Sequence, residues 1–290
     1  MASMIACRQA PKADKTTVLW LGGDVNLGSG GEGQLQGITG MVKGAAGIVN
    51  LEGPVAELSP AAGELKLWNA PQSLSELVAL NVRVAGITNN HARDAGEAGP
   101  QATAKQLREH EISPAGGAAG FALLNIDGVT VAVTAHDLTG GVPEGLTSDL
   151  ATARRQAQVL VSTFHVTGPA SYLPSAALRQ AVEIAYHAGA NVIAAHGSHA
   201  LGPVERRDHA VIAWGLGNVA FACDCTQEED ALLLRVKVQP DRVIQAEVLP
   251  IQAGLNHRPA LPAKDANGIF DLLQAIRSSK LERHGTSAFF

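Results

Sequence analysis

The chain alternates between short apolar runs and segments that repeat at helical spacing. Thr17–Leu21, Gly47–Asn50 and Arg83–Thr88 are β-rich runs. Between the second and third, Ser73–Leu80 places Leu74, Leu77 and Val78 on one helical face. Pro100 opens a helix reaching to His110, since proline is tolerated in a first turn. Phe121–Ile126 and Val129–Thr134 flank Asp127-Gly128, a hairpin signal. The glycines and proline of Gly140–Gly145 mark a loop, and Val159–Phe164 reads as a buried strand. Pro174–Ala188 is a helix with Leu178, Ala181, Val182 and Ala185 in phase and Gly189 as its cap. Asn191–Ala195 follows as a strand. The last third is mostly β, at Ala210–Trp214, Ala231–Val238 and Val243–Leu249, then irregular over 251–267, with a final helix at Ile269–Arg277.

Strand and helix alternate first, and antiparallel hairpins are added later. That order predicts a layered α/β protein with a mixed sheet or two packed sheets. No repeat or linker interrupts it, so residues 17–290 read as one domain behind a disordered tail at 1–16 that carries Pro11.

With 290 residues and 46% apolar content, the chain has material for a sizeable core. Aromatics are only 4%, so Ala, Val, Leu and Gly fill that core and no platform for stacking bases is expected. A net charge of −5, with no basic run longer than Arg154-Arg155 or Arg206-Arg207, argues against nucleic acid as the main partner. It leaves room for a local positive site for an anion. The three cysteines, Cys7, Cys223 and Cys225, give no disulfide framework. No stretch approaches the ~18 apolar residues of a membrane span, so no integral membrane segment is expected. The N-terminus lacks the apolar core of a signal peptide, which favours a cytoplasmic location over a trimmed export signal.

Six apolar runs end in residues suited to holding a metal. They are LWLGGDVN (Asp24), GIVNLEGP (Asn50, Glu52), VAGITNNHARD (Asn90, His91, Asp94), LVSTFHVTG (His165), VIAAHGSHALGP (His196, His199) and IAWGLGN (Asn218). In alternating β/α proteins the loops leaving the carboxyl ends of strands converge on one crevice. Hard or borderline divalent metals take these carboxylate, amide and imidazole donors. Glu52 is a carboxylate able to bridge two cations, and Asp94 is spaced to orient the His91 ring. Gly197-Ser198 lets the backbone turn so that His196 and His199 face the same space. No GxSxG elbow, GxxxxGK[ST] loop or well-placed GxGxxG competes with this reading.

The segments GGDVNLG, NLEGPV, GITNNHARDAG, FHVTGPASYLPS, AAHGSHALGPVE and WGLGNVAF, in that order over residues 22–221, resemble the CapA family of capsule and poly-γ-glutamate synthesis proteins, a distant branch of the calcineurin-like metallophosphoesterases. The resemblance implies a four-layer α-β-β-α sandwich with mixed sheets and a centre of two divalent metals, Mn, Fe or Zn. It implies Asp24, Glu52, Asn90, His165, His196 and His199 as ligands, His91 as proton donor or acceptor paired with Asp94, and Asn218 as a support. Asn26 stands where the phosphoesterase Asp-x-His pair has its second ligand. Val166-Thr167 stands where CapA proteins commonly have Trp-Gly, and Ser198 where they have Pro. The implied activity is metal-dependent hydrolysis of a γ-glutamyl, peptide-like or phosphoester substrate. Two alternatives remain: metal-dependent peptide epimerisation, with His91 abstracting a Cα proton, and a non-catalytic role in capsule assembly.

Overall fold

In a computed structural model, which describes residues 15–31, 33–58 and 64–290, the apolar runs become strands. The first part alternates β1 (Thr17–Asn26), α1 (Thr39–Val42), β2 (Ala46–Leu51), α2 (Leu74–Ala79), β3 (Val82–Gly86), α3 (Gly99–Glu109) and β4 (Ser113–Ala115). The Asp127-Gly128 hairpin joins β5 (Ala122–Ile126) to β6 (Val129–Asp137). Then come α4 (Leu146–Gln156), β7 (Val159–His165), α5 (Ala176–His187) and β8 (Val192–His196). The chain closes with β9 (Val204–Arg207), β10 (Ala210–Ala213), β11 (Asn218–Phe221), β12 (Asp230–Gln239), β13 (Arg242–Gln252) and α6 (Ala266–Ala275), followed by a hairpin at Glu282–His284 and Ser287–Phe289.

Two mixed sheets result. The larger has the order β13-β12-β1-β2-β3-β4, with β11 parallel to β1 at its carboxyl end. The smaller has the order β5-β6-β7-β8-β10-β9, its inner strands parallel and its edge pairs antiparallel. Side-chain alternation assigns the faces. Along β12, Leu232, Leu234, Val236 and Val238 join the core between the sheets, while Leu233 packs with the outer helices. Along β7, Val159 and Val161 point inwards, while Leu160 and Phe164 pack with α4 and α5. Helices therefore cover both outer faces, giving α-β-β-α layers as the resemblance implied. Burying each such Val or Leu contributes about 1.5–3 kcal/mol before the entropy of ordering the chain.

The boundaries differ from expectation in ways that matter at the site. β1 runs on through Asp24 to Asn26, and β3 stops at Gly86, which frees Ile87 and Thr88 to begin the turn carrying Asn90 and His91. Helix α4 forms where no element was expected. Ser175 caps α5, its Oγ accepting from the Leu178 amide. Cys223 and Cys225 pair locally across one residue, which ties no distant segments together. Cys7 and nearly all of the 1–16 tail lie outside the described residues. No helix among the described residues is long and apolar enough to cross a membrane.

Candidate metal centre

Carboxyl ends of parallel strands from both sheets meet at one end of the sandwich. β1 brings Asp24 and β2 brings Asn50, with Glu52 just beyond; β7 and β8 bring His165 and His196, which are register partners. Asp24 pairs in register with both Asn50 and Asn218, and the ladder to β11 shifts immediately after it. Such irregularities re-aim side chains beside functional sites. Gly23 permits the approach, because a Cβ there would lie 1.9 Å from the Gly217 carbonyl oxygen.

Two ligand groups overlap at Asp24. The first comprises Asp24, His165 and His196, all buried. His196 Nδ1 lies 3.2 Å from Asp24 Oδ1 and 3.2 Å from His165 Nδ1, and His165 Nδ1 is 3.8 Å from Asp24 Oδ1. A tetrahedral divalent ion with bonds of about 2.0–2.1 Å spaces its ligands about 3.3 Å apart, so two of the three separations match. His165 Nε2 donates to Asn90 Oδ1 at 2.7 Å, a tautomer that leaves the Nδ1 lone pair facing the other two donors. Burial pushes the His165 imidazole down to about 3; Asp24 opposes that shift, and the charges of His196, His199 and His91 reinforce it. A neutral imidazole is the form that binds a metal.

The second group comprises Asp24, Glu52 and His199. His199 Nδ1 donates to Asn218 Oδ1 at 2.8 Å and lies 3.6 Å from Asp24 Oδ2. The turn that delivers it enters the left-handed region twice: Gly197, at φ +87°, does so freely, while His199, at φ +55°, is in a region a β-carbon disfavours. Asp24 Oδ2 also accepts the Gly197 amide at 2.6 Å, while Asn50 Nδ2 donates to Oδ1 at 2.8 Å. Burial raises the Asp24 carboxyl, but the hydrogen bond and charge of His196, with the charges of His165 and His199, outweigh it and hold the group below the usual carboxylate range.

Glu52 provides the test of fit. Its Oε2 is buried without a hydrogen-bond partner. Burial first, then the negative charges of Asp24, Asp94 and Asp137, push its carboxyl well above the usual range. A buried carboxylate beside other carboxylates is costly unless a cation neutralises it. Oxygen and nitrogen donors of this kind fit Mn, Fe or Zn, so the residues present fit a divalent metal. Asp24, and not Glu52, is the carboxylate common to both groups.

His91 and Asp94 are half-buried and near enough for their charges to act on His165 and Glu52 respectively. His91 Nδ1 meets Asp94 Oδ2 at 2.7 Å, and the same oxygen accepts the Leu67 amide at 2.7 Å. Asn26 faces the scaffold instead: its Nδ2 donates to the carbonyls of Glu52 at 3.0 Å and Trp68 at 2.9 Å. Asn69 and Asp137 escaped the sequence reading, and Asn89 stood in its motif without a role of its own. Asn89 donates to Asn50 Oδ1 and to the Leu51 carbonyl. Asn69 donates to the carbonyls of Glu52 and Gly53. Asp137 is the register partner of His165. A cleft of about 500 Å³ opens beside Asn89, Asn90 and Asp137, with Arg93 and Arg108 in its lining.

Comparison with known proteins follows the same lines. The family described as "Bacterial capsule synthesis protein PGA_cap" matches residues 41–223, a stretch holding every candidate above except Asp24 and Asn26. The PGA biosynthesis protein CapA of Bacillus subtilis (strain 168) is 27% identical over 229 residues, covering 70% of this chain and 60% of that protein. The capsule biosynthesis protein CapA of Bacillus anthracis is 24% identical over 214 residues, covering 64% of this chain and 52% of that protein. The matched region thus spans between half and three fifths of these curated relatives. A crystal structure of a hypothetical protein from Thermus thermophilus superimposes with a TM-score of 0.56 at 11% identity, covering 82% of this chain and all of that one, a likeness of fold.

Proposed function

The chain belongs to the bacterial capsule synthesis protein family, and from that premise we propose that it is a metal-dependent hydrolase of γ-glutamyl, peptide-like or phosphoester bonds. The observation that carries this reading is the pair of ligand groups sharing Asp24, with the Glu52 carboxyl of the second group left unsatisfied, together with the His91–Asp94 pair.

Asp24, His165 and His196 would hold one cation, and Asp24, Glu52 and His199 a second, with Asn90 at the rim. Bound there, divalent metal supplies Lewis acidity to a substrate carbonyl or phosphoryl oxygen and to water. The protein's own groups do the rest. Asp94 accepts at His91 Nδ1 and fixes the ring, which leaves Nε2 to carry the proton that the leaving group needs. Leu67 anchors Asp94 by its amide, so the base of the ring does not swing. Asn50 and Gly197 keep Asp24 in place from both sheets. The adjoining cleft, with its amides and the Arg108 guanidinium group, offers donors to a peptide-like chain, while Arg93 in the same lining is paired with Glu97.

The test is turnover of γ-glutamyl oligomers and simple phosphoesters in deuterium oxide. His91→Ala is expected to lower turnover by about 10²–10⁴-fold while metal content stays unchanged. Cleaved product without deuterium at Cα supports hydrolysis; uncleaved peptide that gains deuterium there would replace it with epimerisation. Equal turnover in the variant removes His91 from the mechanism.

A further inference from the structure

The cleft beside Asn90 continues into a second chamber, of about 470 Å³, a volume ordinary for a small-ligand pocket. The two share Thr88, Gly116, Gly117 and Asp137 in their linings, so they form one groove. That groove leads away from the metal candidates, past the end of β6, to helix α4, which supplies Asp149 and Thr152.

Charge divides the groove. In the cleft, Arg93 is held by Glu97, whereas Arg108 is exposed and makes no ion pair among the described residues. In the chamber both acidic residues, Asp137 and Asp149, line the wall, and no lysine or arginine does. Asp137 Oδ1 is already engaged, accepting the Thr139 amide at 2.9 Å and its hydroxyl at 2.6 Å. Asp149 is exposed and without an ion pair among the described residues. Arg155 stays outside the lining, its Nη2 donating to Thr152 Oγ1 at 3.0 Å. His136 does not offset the carboxylates: burial pushes its imidazole below the usual value, against the opposing charge of Asp149.

Apart from these groups the chamber walls are largely apolar, with Phe121, Ala135 and Pro143 in the lining. Two lining residues carry polar atoms, Thr88 Oγ1 and His136 Nε2, that are buried with no hydrogen-bond partner among the described residues. A carboxylate entering here would lose water beside two like charges and meet no cation. A neutral apolar group would fill the walls and leave Asp149 unpaired. An aminoalkyl group satisfies both, laying its methylenes on Phe121 and Pro143 and its ammonium against Asp149. We propose that the groove selects a peptide-like ligand of mixed charge, with an acidic residue on Arg108 in the cleft and an aminoalkyl side chain, such as that of lysine or ornithine, in the chamber. Asp149 and Phe121 thus set specificity for one side chain, and the chamber discriminates against glutamate. This rests on the reading that the centre acts on a peptide-like chain, but the binding preference does not depend on which bond reacts.

The experiment is calorimetric titration of the whole chain, with manganese present and at low ionic strength, using γ-glutamyl-lysine, γ-glutamyl-norleucine and γ-glutamyl-glutamate. The lysine peptide is expected to bind about fivefold more tightly than the norleucine peptide and at least about tenfold more tightly than the glutamate peptide. Asp149→Asn should abolish the advantage of lysine over norleucine, and Asp149→Lys should place glutamate ahead of lysine. Asp149 is exposed, so neither change cuts into the core. Arg108→Gln should weaken all three peptides alike, and the control Glu282→Gln should bind as wild type does. No binding of any peptide, equal affinities in wild type, a preference for glutamate, or a ranking that survives Asp149→Lys each overturns the proposal. Cleavage is followed in parallel by chromatography. The expected ranking without cleavage would sink the hydrolase reading alone, and cleavage without the ranking would sink this proposal alone.

Discussion

Asp24 belongs to both ligand groups, whereas each histidine belongs to one. Removing it is therefore expected to differ in kind from removing a histidine. By elemental analysis, Asp24→Asn should lose all bound divalent metal, while His196→Ala and His199→Ala should each retain part of it; equal, complete loss in all three would mean one site and not two. His165 gives a pH signature in the metal-free protein. Its folded pKa of about 3 lies below the usual value of 6.5, so between them the unfolded chain holds a proton that the folded one refuses. Stability contributed by the neutral ring is present above pH 6.5 and is lost as pH falls towards 3, by roughly 5 kcal/mol at most. Thermal melts of His165→Asn should show a weaker decline across that window than wild type; parallel curves would refute the assignment. At this scale the sequence was informative because donors at strand ends are visible as polar residues closing apolar runs. Asn69 was not, since no apolar strand leads into it and its amide serves carbonyls that only folding brings near.

Elements set how those residues are aimed. The turn after β8 packs so closely that a Cβ on Gly197 would stand 2.2 Å from the Val166 carbonyl oxygen and 2.6 Å from His165 Cε1, at a φ of +87°. Gly197→Ala should lower stability by roughly 2–3 kcal/mol and also reduce metal content. Gly140→Ala, with nothing within 4 Å, should do neither; calorimetry with metal analysis separates the two. Strand periodicity exposed most of the sheets, and the Asp-Gly hairpin fell where its turn chemistry required. Helix α4 was hidden because only Leu146, Leu150 and Ala153 of its eleven residues are buried, too sparse a stripe to stand out from a polar loop. At the end of β6, the His136 ring stacks on Phe164 with centroids 6.1 Å apart, on the face packed with α4 and α5. Its neighbour Asp137 was the one whose charge reaches Glu52. Alternation puts the two on opposite faces, but sequence alone does not say which face is the crevice.

On the scale of the molecule, the metal candidates are divided between sheets: Asp24, Asn50, Glu52 and Asn218 come from the larger, and His165, His196 and His199 from the smaller. Metal held between them would stabilise the sandwich as a whole. Adding Mn, Fe or Zn at a hundredfold excess over its Kd should stabilise the fold by about 2.7 kcal/mol and raise Tm by roughly 5 °C over chelator-treated protein. An unchanged Tm with all three metals would argue against the centre. The layered architecture was legible from the order of strands and helices, but the division of labour between sheets was not, because strand order along the chain does not reveal which sheet a strand joins. That division also makes the apolar interior a gauge block. Leu21, Leu232, Val161 and Val192 fill the gap between the layers, and their bulk sets how far the carboxylates stand from the imidazoles. In an occupied centre, ionic radius would thus be selected in part by methyl groups that never touch the ion, and trimming one of them is expected to retune which metal the crevice prefers.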